Sequence, residues 1–238
     1  VVGGRGKSTF MPVGPFSGPA LGDAVGVVGT ALGSGLLTVD VAEAGGDDGQ
    51  RSAALCQLAH DLWIVSDYKG SRETFERALA LYETEKHSHF ALMFGYDIHS
   101  WAKMTLGPIV WSLGEPDLAL ELTKEAVAHA REIKHANTLG LAMVYVAMVH
   151  QFRGEIEETL KITEELDEVC QKYGLFYNVS YGALFRCWAA GEAEMMKAIL
   201  TGVKGSGAML GMSHYPALLA EVHARKEEYD DAIALVDE

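Results

Sequence analysis

Trp111-Ser112-Leu113-Gly114-Glu115-Pro116-Asp117-Leu118-Ala119-Leu120 contains the end of one helix, a turn and the start of the next. Glycine reaches the left-handed conformation that closes a helix at little steric cost. Proline two residues later suits the first turn of a new helix, where its missing N–H is not needed. Beyond it, Leu118, Leu122, Val127 and Ile133 recur at helical spacing among Glu121, Lys124, Glu125 and Arg131, which predicts an amphipathic helix over 118–133. Ala119, five positions past the glycine, is small enough for two antiparallel helices to approach closely.

The same unit recurs along the chain. Its turns read Tyr68-Lys69-Gly70-Ser71, Ser112-Leu113-Gly114-Glu115, Phe152-Arg153-Gly154-Glu155 and Ala189-Ala190-Gly191-Glu192, with a worn fifth copy at Glu227. The spacings are 44, 40, 37 and 36 residues. A helical hairpin cannot bury its apolar face alone, so neighbouring hairpins stack into a solenoid. Gly107-Pro108 interrupts the first helix of the second unit, and a kink or break is expected there.

This pattern resembles the tetratricopeptide repeat. Leu92-Met93-Phe94-Gly95-Tyr96-Asp97, the Trp111 to Leu120 stretch and His150-Gln151-Phe152-Arg153 resemble, more closely, one particular repeat region. It lies C-terminal to the ATPase module in bacterial adenylate/guanylate-cyclase-like and predicted-ATPase regulators. The resemblance covers roughly residues 55–200. It implies a scaffold or sensor, with catalysis housed in other domains. The expected fold is all-α, a tetratricopeptide-like helical-hairpin solenoid over 51–238 with four to five helix pairs.

Residues 1–50 have a different texture. They carry 13 of the 26 glycines and half of the prolines, and no helical period. They read as an irregular lead segment ending in a linker, Gly45-Gly46-Asp47-Asp48-Gly49. The start at Val1 and the stop at Glu238, inside a helical pattern, fit a piece of a longer protein.

Composition narrows the partners. Hydrophobic residues make up 49% of the 238, enough for a sizeable core. With 33 acidic against 19 basic residues the net charge is −14, which argues against nucleic acid and anionic membranes. Pro19 to Val41 is diluted by glycines and bracketed by Asp23 and Asp40, so no membrane span is expected. Cys56, Cys170 and Cys187 form neither a disulfide framework nor a zinc spacing, which points to a reducing cytoplasmic compartment.

In tetratricopeptide-like stacking the first helix of each pair lines the concave side. Counted from each turn, its inward positions are Gln57, His60, Ile64 and Asp67, then Trp101, Met104, Pro108 and Trp111. Leu141, Val144, Met148 and Gln151 follow, then Asn178, Tyr181, Phe185 and Trp188, then His214, Ala217, Glu221 and Ala224. The binding groove is expected from His60, Trp101, Met104, Trp111, Met148, Gln151, Tyr181, Phe185 and Trp188, with three tryptophans sharing one hollow. Large aromatics anchor ligands, so the expected partner is a peptide, a partner helix or a small apolar molecule. Rival explanations are that these rings fill a tight superhelix, that they pack against the Gly-rich residues 1–50 folded back into the groove, or that a second copy of the chain occupies the groove.

Catalytic and cofactor motifs are weak. Gly3-Gly4-Arg5-Gly6-Lys7-Ser8-Thr9 lacks the leading glycine, strand and helix of a phosphate loop. No Gly-x-Ser-x-Gly elbow exists. His60, His99, His150 and His214 are candidate bases for a small-molecule hydrolase, the alternative function, but the sequence fixes no partner for them. His87, His89, Asp97 and His99 are potential metal ligands, yet a polar inter-repeat loop accounts for them. No catalytic residue, metal or cofactor is therefore expected.

Overall fold

The computed structural model describes residues 47–205 and 214–236. The glycine-rich lead segment, the rejected phosphate loop and the Pro19 to Val41 stretch lie outside them. The described residues form an all-α, tetratricopeptide-like solenoid of helical hairpins.

The hairpins are α1 (Asp48–Ile64) with α2 (Tyr68–Leu81), α5 (Ile98–Ser112) with α6 (Pro116–Glu132), and α7 (Ala136–Phe152) with α8 (Ile156–Tyr173). They continue with α9 (Phe176–Ala190) and α10 (Ala193–Gly205), then α11 (His214–Arg225) and α12 (Tyr229–Val236). Short helical turns, α3 (Thr84–His87), Ser88–Phe90 and α4 (Ala91–Phe94), fill the connection between the first two pairs. First helices stack on one another as an inner layer, α1 on α5 on α7 on α9 on α11, and each second helix packs against the next first helix.

The turns hold the expected left-handed residues at Gly114 (φ 91°), Gly154 (φ 69°) and Gly191 (φ 75°), and at Glu227 (φ 63°) in the fifth pair. In the first pair the turn residue is Ser66 (φ 65°), not Gly70, which sits inside α2. Asp67 caps that helix by accepting the Gly70 N–H, a use of aspartate that leaves the glycine no turn to make. Counting from Ser66 restores the rule five positions on: Ser71, Ala119 and Thr159 are all fully buried. Ser71 donates its hydroxyl to the Ala59 carbonyl across the hairpin at 2.6 Å.

Two other expectations change. The supposed linker residues Asp48 and Gly49 belong to α1, because the Asp47 side chain accepts the Gly49 and Gln50 N–H groups and starts the helix early. The break at Gly107-Pro108 does not occur, and α5 runs through it to Ser112. Gly107 serves the close approach instead: a Cβ there would lie 2.4 Å from Thr123 Cγ2 and 3.3 Å from the Ala119 carbonyl oxygen.

The core is continuous through all pairs and centres on α7, where every residue from Gly140 to Gln151 is buried. A helix covered on all sides can be apolar all round, which is why this stretch has no polar face to read. Among the described residues no helix is long and apolar enough to cross a membrane.

Candidate functional site

The inner layer carries the residues expected to form a groove, and eight of those nine are buried. His60 is 5% exposed, Trp101 3%, Met148 7%, Gln151 8% and Trp188 2%, while Met104, Tyr181 and Phe185 are at 1% or below. Trp111, at 37%, is the one with an accessible ring. In the first pair, the register set by Ser66 replaces Gln57, Ile64 and Asp67 with Ala53, Cys56 and Trp63; His60 belongs to both registers. Ile64 and Asp67 point to solvent.

The three tryptophans join three separate clusters. Trp101 packs among His60, Phe75 and Tyr96, with ring centroids 5.9, 6.4 and 4.8 Å away. Trp188 lies under the Arg225 guanidinium at 4.9 Å, and its backbone carbonyl accepts a hydrogen bond from the same side chain. Trp111 stacks obliquely on Phe152 at 4.7 Å. Phe152 meets His214 edge-on at 5.5 Å, and His214 lies 6.3 Å from Phe185. A row of rings thus links the second to fifth pairs, and its Trp111 end opens to solvent.

The titratable groups of this layer fall into two kinds. Burial lowers His60 and His214 to about 4, so both are neutral at physiological pH. His150 is different: its Nδ1 is 2.6 Å from Glu155 Oε2, and Arg153 donates to Glu155 Oε1 at 2.7 Å. Burial would raise Glu155, but His150 and Arg153 outweigh it and hold the carboxyl below its ordinary range. His223 and Glu228 repeat this contact at 2.7 Å in the fifth pair. In both pairs the histidine is four residues before the left-handed turn residue and the glutamate one after it, so the contact pins the turn. Of the four histidines weighed as bases, His150 has a carboxylate partner, and that partner is this structural pin.

A second polar cluster sits where α5, α6 and the Tyr82–Asp97 connection meet. Asp97 is fully buried, caps α5 by accepting the Ser100 N–H at 2.8 Å, and accepts the Tyr82 hydroxyl at 2.5 Å. Its own N–H donates to Thr138 Oγ1 on α7. His129 Nε2 lies 3.3 Å from Asp97 Oδ1, and the His99 and His129 rings are 4.4 Å apart. Burial pushes Asp97 up, but the contacts from His129, Tyr82 and the Ser100 N–H more than compensate and leave its carboxyl low. Burial, aided by the neighbouring His129, lowers His99 to about 4. His87 and His89 stand apart: His87 Nδ1 accepts the Glu83 N–H, and His89 stacks on Phe90. The sequence reading paired Asp97 and His99 with the wrong histidines because His129 arrives from the far end of α6.

No family model matches this sequence, and no curated protein matches it either. Similarity appears in three dimensions. Aspartyl phosphate phosphatase F from Bacillus subtilis superposes with a TM-score of 0.74 at 12% identity, over 89% of this chain. The chain spans 54% of that protein's length. BtubC (BKLC) from P. vanneervenii superposes with a TM-score of 0.57 at 15% identity, covering 88% of both chains. At such identities the likeness concerns the fold.

Proposed function

We propose that this chain is a non-catalytic recognition scaffold that takes a peptide, a partner helix or a small apolar molecule on its inner layer. The observation that carries this is Trp111: a large ring left accessible at the end of an aromatic row that runs through the half-buried Phe152 and His214 to the buried Phe185. Rigid aromatics of this kind act as anchors, because little side-chain entropy is lost when a partner covers them. Phe185 is the buried end of that row, while Trp101, Met104, Met148, Tyr181, Trp188, His60 and Gln151 are buried elsewhere in the same inner layer.

On this reading the chain works in the cytoplasm as part of a larger bacterial signalling or regulatory protein, as in cyclase-like and predicted-ATPase regulators. The sequence resemblance supports it. So do Cys56, Cys170 and Cys187, all free thiols, in keeping with a reducing compartment.

Two measurements test it. Native mass spectrometry of the purified chain should show a co-purifying peptide or small molecule. Titration with Nile red, a flat neutral dye, should give binding that Trp111→Ala weakens by about tenfold with helicity unchanged. Equal dye affinity in wild type and variant would remove Trp111 as the anchor and the reading with it. Light scattering against concentration separates this from self-association, in which a second copy covers the same rings.

A further inference from the structure

We propose that Asp97, His99 and His129 form a binding site for a divalent transition-metal ion of the zinc type. One atom from each, a carboxylate oxygen and two imidazole nitrogens, lies within 4.8 Å of the other two. Ligands about 2.1 Å from a common ion stand at most about 4.2 Å apart, so closure asks only for small side-chain rotations. Two imidazoles and a carboxylate are borderline donors that suit zinc, cobalt or nickel better than calcium or magnesium.

The buried polar atoms give independent support. His99 Nδ1 and His129 Nε2 are both buried without a hydrogen-bond partner, the latter in only a long 3.3 Å contact with Asp97 Oδ1. Orphaned polar atoms in a packed interior are costly. A single proton shared between His129 and Asp97 would relieve one imidazole and leave the other. A metal ion would engage both and offset the buried carboxylate. Lys103, one turn after His99, is paired with Glu125, which limits its repulsion of a bound cation.

The surroundings supply what a metal site needs beyond its ligands. Tyr82 donates to Asp97 Oδ2, and the Ser100 N–H to Oδ1, so the carboxylate is held in one orientation. His99 is partly exposed, which leaves a route from solvent and room for a water ligand. The ligands come from the start of α5 and the end of α6, so the ion would clasp this hairpin at the end away from Gly114.

The test starts from chain stripped of metal by a chelator. Calorimetric titration with zinc should show one site, and cobalt should develop visible absorption bands. His99→Gln and His129→Gln should each weaken zinc binding by more than about 10-fold, and Tyr82→Phe by about 10-fold through loss of carboxylate positioning. His223→Gln, in the separate group of buried His223 with exposed Glu228 and Asp231, should leave it unchanged. No zinc uptake by the wild type, or equal uptake by the His99 and His129 variants, overturns the proposal. Should a variant misfold, histidine-ring nitrogen spectra of the wild type decide: zinc must shift His99 and His129. Shifts confined to the other seven of the nine histidines overturn the site.

Discussion

The central and terminal hairpins share one backbone plan but reach it with different residues. In the three central pairs the left-handed turn residue is glycine, at Gly114, Gly154 and Gly191; in the first and fifth it is Ser66 and Glu227. The outer hairpin turns therefore accept a strain that the central hairpin turns avoid, although Lys134 (φ 55°), between the second and third pairs, carries it too. By the hairpin turns, stability should be concentrated in the centre and eroded from the ends. Neutral histidines do not divide the pairs in the same way: burial lowers His60 and His214 in the outer pairs and His99 in the second.

The largest expected effect comes from emptying the centre. Trp101→Ala should destabilise by about 3–5 kcal/mol, because the ring is 3% exposed and wedged among His60, Phe75 and Tyr96. Denaturant unfolding measures it. A cost no greater than that of Trp111→Ala would erase the distinction between buried and accessible rings.

Acid should give the next largest effect, in the second pair as well as at the ends. Burial lowers His60, His99 and His214 to about 4 in the folded chain against an ordinary 6.5, so the unfolded chain binds more protons between these values. Stability is complete above 6.5 and falls as the pH drops toward 4, by at most about 1.4 kcal/mol per pH unit for each histidine. Asp61, which burial pushes up to about 6, works in the opposite direction and offsets part of this. Three histidines against one carboxyl leave a net loss, and His60→Gln should flatten the melting-temperature profile over this range. An unchanged slope would mean that His60 is not held neutral.

Gly107→Ala should cost about 1–3 kcal/mol, since the new methyl group would meet Thr123 at 2.4 Å and neither α5 nor α6 can retreat from the core. An unaltered melting temperature would show the α5–α6 contact to be looser than described.

The smallest effects sharpen the turn comparison. Gly154→Ala places a side chain at φ 69° and should cost about 1 kcal/mol, although its Cβ meets nothing within 4 Å. Ser66→Gly and Glu227→Gly should do the reverse and stabilise by up to about 1 kcal/mol, less the added freedom of the unfolded chain. Destabilisation in both would show that those side chains hold their turns by contacts rather than merely tolerating the backbone.

Much of this architecture was legible without coordinates. The spacing around Gly114, Gly154 and Gly191 sets helix, turn and helix, because only a residue tolerant of positive φ closes a helix cheaply. The failure at Gly70 has the same cause: a serine at φ 65° leaves no such mark, and the nearest glycine misled the register by four residues. Gly107-Pro108 misled in another way. Proline forbids one backbone hydrogen bond, but packing on α6 and α7 holds the helix together across it.

The candidate sites divide along the same line. Counting back from a glycine turn names the inward positions of a first helix only where glycine marks the turn; in the first pair it gave Gln57, Ile64 and Asp67 where the turn at Ser66 gives Ala53, Cys56 and Trp63. Whether an inward ring is sealed, as Trp101 is, or accessible, as Trp111 is, depends on which neighbours arrive from other pairs. The meeting of Asp97 and His99 with His129 is likewise a product of the α5–α6 hairpin, which folds residues about thirty positions apart into contact. The chain alone determined the repeat and its helices, and their inner face where glycine marks the turn, through backbone sterics and the 3.6-residue period; tertiary packing decided exposure and side-chain company, because those are set by contacts between segments distant in sequence.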